Sequence, residues 1–233
     1  MSITSCTTKL SALTALLLLA PFAHAERPMA VDDAGTLERG GYKLEAGWSK
    51  DDRERGLEVA AGWGPVENVE VELAFGQARD RGTDPSTRLN GIGFAAKWVP
   101  LQAETGLSAG LKLELGRTRI DERVDGTHTE RTQALLGLAS WRFESGHILH
   151  FNAGREWSRY RGEREHANVW GLGFEQPVGE TVQITLEVFG TEGARPDRQI
   201  GVRWEVAEGL KLSAAVGRGN ERSFANAGVA WEF

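Results

Sequence analysis

Cysteine is almost missing from this 233-residue chain: the single one, Cys6, stands ahead of the apolar run at residues 10–22. Downstream of that run no disulfide and no thiolate metal site can form. A lipoprotein leader would place its cysteine after the apolar run, so no lipid anchor is expected. Long hydrophobic stretches are lacking too. Beyond residue 25 nothing reaches the roughly 18 apolar residues that a membrane-spanning helix needs. Positive charge is also scarce, with 27 Lys and Arg against 33 Asp and Glu. Without a basic stripe, nucleic acid is not an expected partner.

The first 25 residues read as a secretory signal. Lys9 supplies the positive start, residues 10–22 the apolar run, and Ala23-His24-Ala25 a small-x-small cleavage site. The mature chain is expected to start at Glu26. Loss of the leader, which holds one lysine and no acid, takes the formal net charge from −6 to −7.

What is present is period-2 alternation from Tyr42 to the end. Tyr42, Leu44, Ala46 and Trp48 alternate with Lys43, Glu45, Gly47 and Ser49. Val69, Val71, Leu73 and Phe75 alternate with Glu70, Glu72, Ala74 and Gly76. Leu107, Ala109, Leu111, Leu113 and Leu115 alternate with Ser108, Gly110, Lys112, Glu114 and Gly116. One face is apolar and the other small or charged. About twelve such segments of roughly ten residues can be counted, the length that crosses a bilayer when tilted. The region 134–157 parses less cleanly and leaves ten or fourteen strands open. The expected fold is all-β: an antiparallel up-and-down transmembrane β-barrel of about 12 strands, over residues 41–233, preceded by a stub or partial plug at 26–40.

Six segments end on a large aromatic: Trp63, Trp98, Trp141, Phe174, Trp204 and Trp231. Aromatics at one height make a membrane-interface girdle. Connections at that end read as short, whereas 50–55, 78–88, 117–131, 158–165 and 191–198 read as longer charged loops. Barrels of this class keep short turns on the periplasmic side, which places the girdle there. Trp48, Trp157 and Trp170 then form a sparser outer girdle. The last strand, 229–233, ends on Phe233 and resembles the C-terminal assembly signal of bacterial outer-membrane proteins. A soluble β-sandwich or lipocalin alternates as well. It would need large side chains on its inward face, and one face here is mostly Gly, Ala, Ser, Glu and Lys.

The segment 27–40, with Arg27-Pro28 and Asp32-Asp33-Ala34-Gly35, resembles the start of the meta-pathway phenol-degradation (MetA-type) family of outer-membrane barrel transporters. The hairpin around 62–73 is similar too. The resemblance implies passage of small organic, including aromatic, solutes through an outer-membrane barrel, without a cofactor.

On this parity the lumen is lined by Lys43, Glu45, Glu58, Glu70, Glu72, Lys97, Lys112, Glu114, Arg142, Glu187, Arg203, Glu205 and Lys211, and also by Glu175 and Glu232. Acids outnumber bases, so the set reads either as a mildly cation-preferring channel or as an ion-pair lattice that fills a narrow barrel. Glu205 and Lys211 are expected to oppose each other across a turn near Glu208. Asp32 and Asp33 read as a candidate plug, a cation site or turn formers, the plug or stub being preferred. His147 and His150, three apart, fall on opposite faces of a strand and do not suit one metal. His128 and His166 read as loop residues. No His-x-Ser pair of the kind shared by lipid-deacylating barrels occurs, so no enzyme is expected.

The expected partners are outer-membrane lipid and lipopolysaccharide, the outer-membrane assembly machinery and a small organic solute. The chain is expected to act as a monomer. Loop arginines, among them Arg79, Arg81, Arg159, Arg161 and Arg164, can bind lipopolysaccharide phosphates or form a solvated rim. The expected function is passive solute passage; the alternative is a non-conducting structural or surface-interaction barrel.

Overall fold

Backbone polar groups in hydrocarbon must be paired within the protein, and a closed antiparallel barrel pairs all of them. The computed structural model describes residues 27–123, 125–219 and 222–233. The leader at 1–25, with its cleavage site, therefore lies outside the described residues. Twelve strands follow in order: β1 (Tyr42–Asp51), β2 (Glu54–Val66), β3 (Val69–Asp80), β4 (Thr87–Leu101), β5 (Gly106–Glu122), β6 (Gly126–Arg142), β7 (Ile148–Tyr160), β8 (Glu163–Val178), β9 (Val182–Thr191), β10 (Asp197–Ala207), β11 (Leu210–Gly219) and β12 (Arg222–Glu232). Each pairs antiparallel with its chain neighbours, and β1 pairs with both β2 and β12, closing the barrel. At the seam Tyr42 N–H donates to Phe233 O at 2.8 Å, and Phe233 N–H donates to Tyr42 O at 3.0 Å.

Burial is inverted relative to a water-soluble protein. Leu57 and Trp98 on the outer face are 65% and 53% exposed, while Lys43, Glu45, Lys112 and Glu114 are buried inside. Only a protein whose outer solvent is hydrocarbon gains from this arrangement, which removes the sandwich alternative. Bulges between Trp63 and Val66 and between Trp98 and Leu101 interrupt the ladder where two strands leave the girdle end.

The difference in loop length is not observed. At the end carrying both termini the connections are 67–68, 102–105, 143–147, 179–181 and 208–209; at the other end they include 52–53, 81–86, 161–162 and 192–196. The charged stretches 117–131 and 158–165, expected as loops, are mostly extensions of strands instead, whereas 81–86 and 192–196 are connections; β5 and β6 reach 17 residues each. Alternating Thr and Arg keep the ladder going where polar side chains can face water on both sides. The tight turn Arg161-Gly162, with φ of 49° and 88°, shows how little chain the reversal takes. His128 and His166 accordingly sit on β6 and β8, not in loops. His128 packs edge-on against Tyr160, and its Nε2 lies 2.9 Å from Asp125 O.

Candidate functional site

The segment before β1 runs through the barrel interior. Its first half lies along β8 to β12, where inward glycines leave room for it. A Cβ on Gly173 would come within 2.7 Å of Met29, one on Gly171 within 2.7 Å of Val31, and one on Gly201 within 2.7 Å of Pro28. Glycine inside a strand marks close approach of another chain segment, and that segment here is the protein's own. Glu187 on β9 accepts from the successive amides of Ala30 (3.0 Å) and Val31 (2.8 Å). Gln199 Nε2 donates to Pro28 O and to Glu187, each at 2.7 Å. Phe189 packs against buried Met29 and Val31.

Asp32 and Asp33 occupy the middle. Asp32 bonds Lys112 Nζ at 2.6 Å and lies 3.5 Å from Lys97 Nζ, which donates to Asp33 at 2.9 Å. The lysines take the places a cation would have, and among the described residues no His, Cys, Asp and Glu cluster could hold a metal ion. Asp32 N–H donates to Asn152 Oδ1 at 2.6 Å, and Asn152 Nδ2 donates back to Asp32 O at 2.9 Å. Ala34 N–H donates to Ser140 Oγ at 2.7 Å. Ser140 Oγ lies 2.8 Å from His150 Nδ1, and His150 Nε2 lies 3.0 Å from Glu175, which pairs with Arg203 at 3.0 Å. Ser140 Oγ and the Glu175 carboxylate thus hold the two ring nitrogens of His150 and fix the orientation of the ring.

The segment leaves through Leu37, whose N–H donates to Glu70 at 3.0 Å, and joins the wall where Gly40 N–H donates to Gly64 O at 2.7 Å. Thr36 and Gln102 bond each other at 3.2 and 3.0 Å.

The residues expected to line the lumen face inward in these networks. Lys43 lies 3.2 to 3.4 Å from Glu45, Glu70 and Glu72. Glu58 pairs with Arg27, Glu114 with Lys112 at 2.9 Å, and Arg203 also reaches Gln183 at 2.9 Å. Glu205 stands opposite Lys211, which pairs with Glu232 at 3.4 Å. Arg142, His150, Glu175, Arg203, Glu205 and Lys211 border a remaining cavity of about 260 Å³ at the terminus-bearing end. Trp63, Trp98, Trp141, Phe174, Trp204 and Trp231 face outward at that same end. His147 precedes β7 and stacks on Phe174 at 5.8 Å, away from His150.

Sequence reasoning missed Ser140, Asn152, Gln199 and Gln102. The His-x-Ser pattern concerns a serine two residues from the histidine on the same strand, and His150 has none. The serine that contacts it lies across the β6–β7 hairpin, where Ser140 and His150 are register partners. Counting outward from that turn would have paired them.

Among known proteins, a family model described as "Uncharacterised conserved protein UCP029691" matches residues 13–231, and the chain belongs to that family. No curated protein matches the sequence. Solved structures share its fold at low identity. An outer membrane channel from Pseudomonas putida F1 superposes with TM-score 0.64 at 10% identity, over 86% of this chain and 98% of that one. The KdgM porin gives 0.60 at 11%, over 82% and 99%. The translocator domain of the autotransporter NalP from Neisseria meningitidis gives 0.57 at 13%, over 97% and 96%. The chain is thus a bacterial outer-membrane β-barrel.

Proposed function

We propose that this member of the UCP029691 family is a passive outer-membrane channel for small organic solutes, with residues 26–40 acting as a plug. The observation that carries the reading is how the segment 27–37 is held. Its amides and carbonyls bond to wall side chains (Glu187, Gln199, Asn152, Ser140, Gln102 and Glu70) rather than joining the sheet. Such contacts can be exchanged for water one at a time without breaking a strand ladder. A permanently structural element would be expected to pair as a strand. The preference for organic, including aromatic, solutes rests on the resemblance of 27–40 to the phenol-degradation transporters. A twelve-stranded barrel is intermediate between a filled small barrel and an open porin, so removing the segment leaves a passage of small-molecule size.

Planar-bilayer recording tests the reading. The mature chain is expected to show low or intermittent conductance, and the variant lacking 26–40 a steady open level. A silent deletion variant that still forms a heat-resistant barrel would favour the alternative, a non-conducting structural barrel.

The line Ser140, His150, Glu175 favours a second reading, a hydrolase with a serine nucleophile. Three features weigh against it. Ser140 Oγ already accepts from Ala34, both Ser140 and His150 are 1% exposed, and the group faces the lumen rather than lipid. We read it as a polar relay tying the segment to the wall. Phospholipid turnover that is lost in Ser140→Ala would reverse this choice.

A further inference from the structure

On the outer wall, away from the termini, arginines stand directly opposite arginines. Arg55 on β2 opposes Arg79 on β3, and Arg79 opposes Arg88 on β4. A second row runs Arg117, Arg131, Arg159, Arg164 across β5 to β8. All seven are exposed. Like charges placed opposite each other destabilise a sheet unless something compensates them. No side-chain hydrogen bond or ion pair joins any of the seven to another described residue. Asp121, opposite Arg88 and on the border of the same groove, bonds Arg119 and Thr127 and is close enough to Arg88 to offset part of its charge, one acid against the three guanidiniums of the first row.

The two rows belong to one collar. Ladder rows run perpendicular to tilted strands and so climb around a barrel; a level ring must step from row to row. The aromatic girdle shows the step: the row of Trp63 runs through Val71 to Ala96, and Trp98 lies two residues further toward the termini. The arginine rows step the same way, because Arg117 lies four residues nearer the termini end of β5 than Asp121, the partner of Arg88. Just below the first row, Trp48 and Leu57 join Arg55, Arg79 and Arg88 around a groove of about 650 Å³. Trp157 sits one outward row below Arg131 and Arg159. The surface thus offers guanidinium forks above an apolar belt.

We propose that this collar, at the end away from both termini where β5 and β6 run on past the apolar belt into water, faces the cell exterior and binds the phosphorylated headgroup of lipopolysaccharide in the outer leaflet, its acyl chains lying against the belt beneath. Charge complementarity selects the occupant. Guanidinium forks bind phosphate through paired hydrogen bonds. Three of them on neighbouring strands, about 5 Å apart, present more donors than one phosphodiester can accept. A headgroup with several phosphates satisfies them.

The test uses the full-length barrel in neutral detergent with EDTA, so that divalent cations do not bridge. Purified lipopolysaccharide, its dephosphorylated form and phosphatidylglycerol are titrated, with native-gel shift and thermal midpoint as readouts. Phosphorylated lipopolysaccharide is expected to bind and raise the midpoint, and each of R79Q/R88Q and R131Q/R159Q to weaken binding about tenfold. R79K/R88K, which keeps the charge and loses the fork, should fall between. Conductance should not change, which separates this proposal from the channel reading. Equal binding by the glutamine variants, by dephosphorylated lipopolysaccharide or by phosphatidylglycerol overturns it. Should a glutamine variant fail to fold, the lysine variant and the three-lipid comparison on the unaltered protein still decide.

Discussion

Asn152 holds Asp32 as a neighbouring strand would: its carboxamide accepts the Asp32 amide at 2.6 Å and donates to the Asp32 carbonyl at 2.9 Å. One side chain satisfies both main-chain groups of a residue 120 positions away. Replacing it with leucine keeps comparable bulk and leaves a donor and an acceptor unpaired, about 1–3 kcal/mol for each. Asn152→Leu is therefore expected to loosen the segment while sparing the barrel. Protease cleavage within 27–37 should rise and single-channel openings should lengthen; unchanged protection would mean that Asn152 does not anchor the segment.

Gly173 offers a steric route to the same outcome. A Cβ there would already crowd Met29 and Val31, and a leucine would fill their place. Gly173→Leu should expel the segment and raise conductance, with strand content by circular dichroism unchanged.

Lys112 is the most enclosed cation of the lumen, paired with Asp32 at 2.6 Å and Glu114 at 2.9 Å. Lys112→Met leaves two buried carboxylates without it. Removing one partner of a buried ion pair costs about 3–5 kcal/mol, and urea unfolding of the folded barrel in vesicles should shift accordingly. Adding Asp32→Asn to Lys112→Met should recover part of the loss.

Leu73 faces outward between the girdle and the collar and is 42% exposed. Leu73→Arg places a charge in hydrocarbon, at a cost of about 2–4 kcal/mol near the midplane. Folding into vesicles should be impaired to that extent. The same arginine at inward Ala74 would test packing instead, and its effect should not follow bilayer thickness.

Phe233 closes the seam through its main-chain bonds to Tyr42, and its ring lies 5.9 Å from that of Tyr42 and 4.6 Å from that of Trp231. Deleting Phe233 removes both the closing bonds and the proposed assembly signal. Slower appearance of the heat-resistant form in cells is expected; normal kinetics would separate the residue from assembly.

Much of the barrel could be read from residue order. Leu44 and Lys43 must face opposite ways on any strand, because the side-chain period is two. The faces of Phe75, Leu113 and Trp204 followed from that without knowledge of any partner. Loop length misled because charged alternation in 117–131 suits a strand in water as well as a loop, and β5 and β6 extend through it. The pairing of Glu205 with Lys211 was legible because a short turn sets its register locally. The pairing of Ser140 with His150 needed the same count across a turn whose limits were less plain.

Residue order by itself determined an all-β chain with one lipid-facing and one enclosed face, since alternation is a local property of extended backbone. Only the closed barrel decided which enclosed groups meet. Asp32 reaches Lys112, Asn152 and Lys97 from three different strands because closure and strand tilt bring those positions around one axis. The arginine collar has the same origin: Arg79, Arg88, Arg131 and Arg159 are scattered in the chain, and register aligns them on one wall.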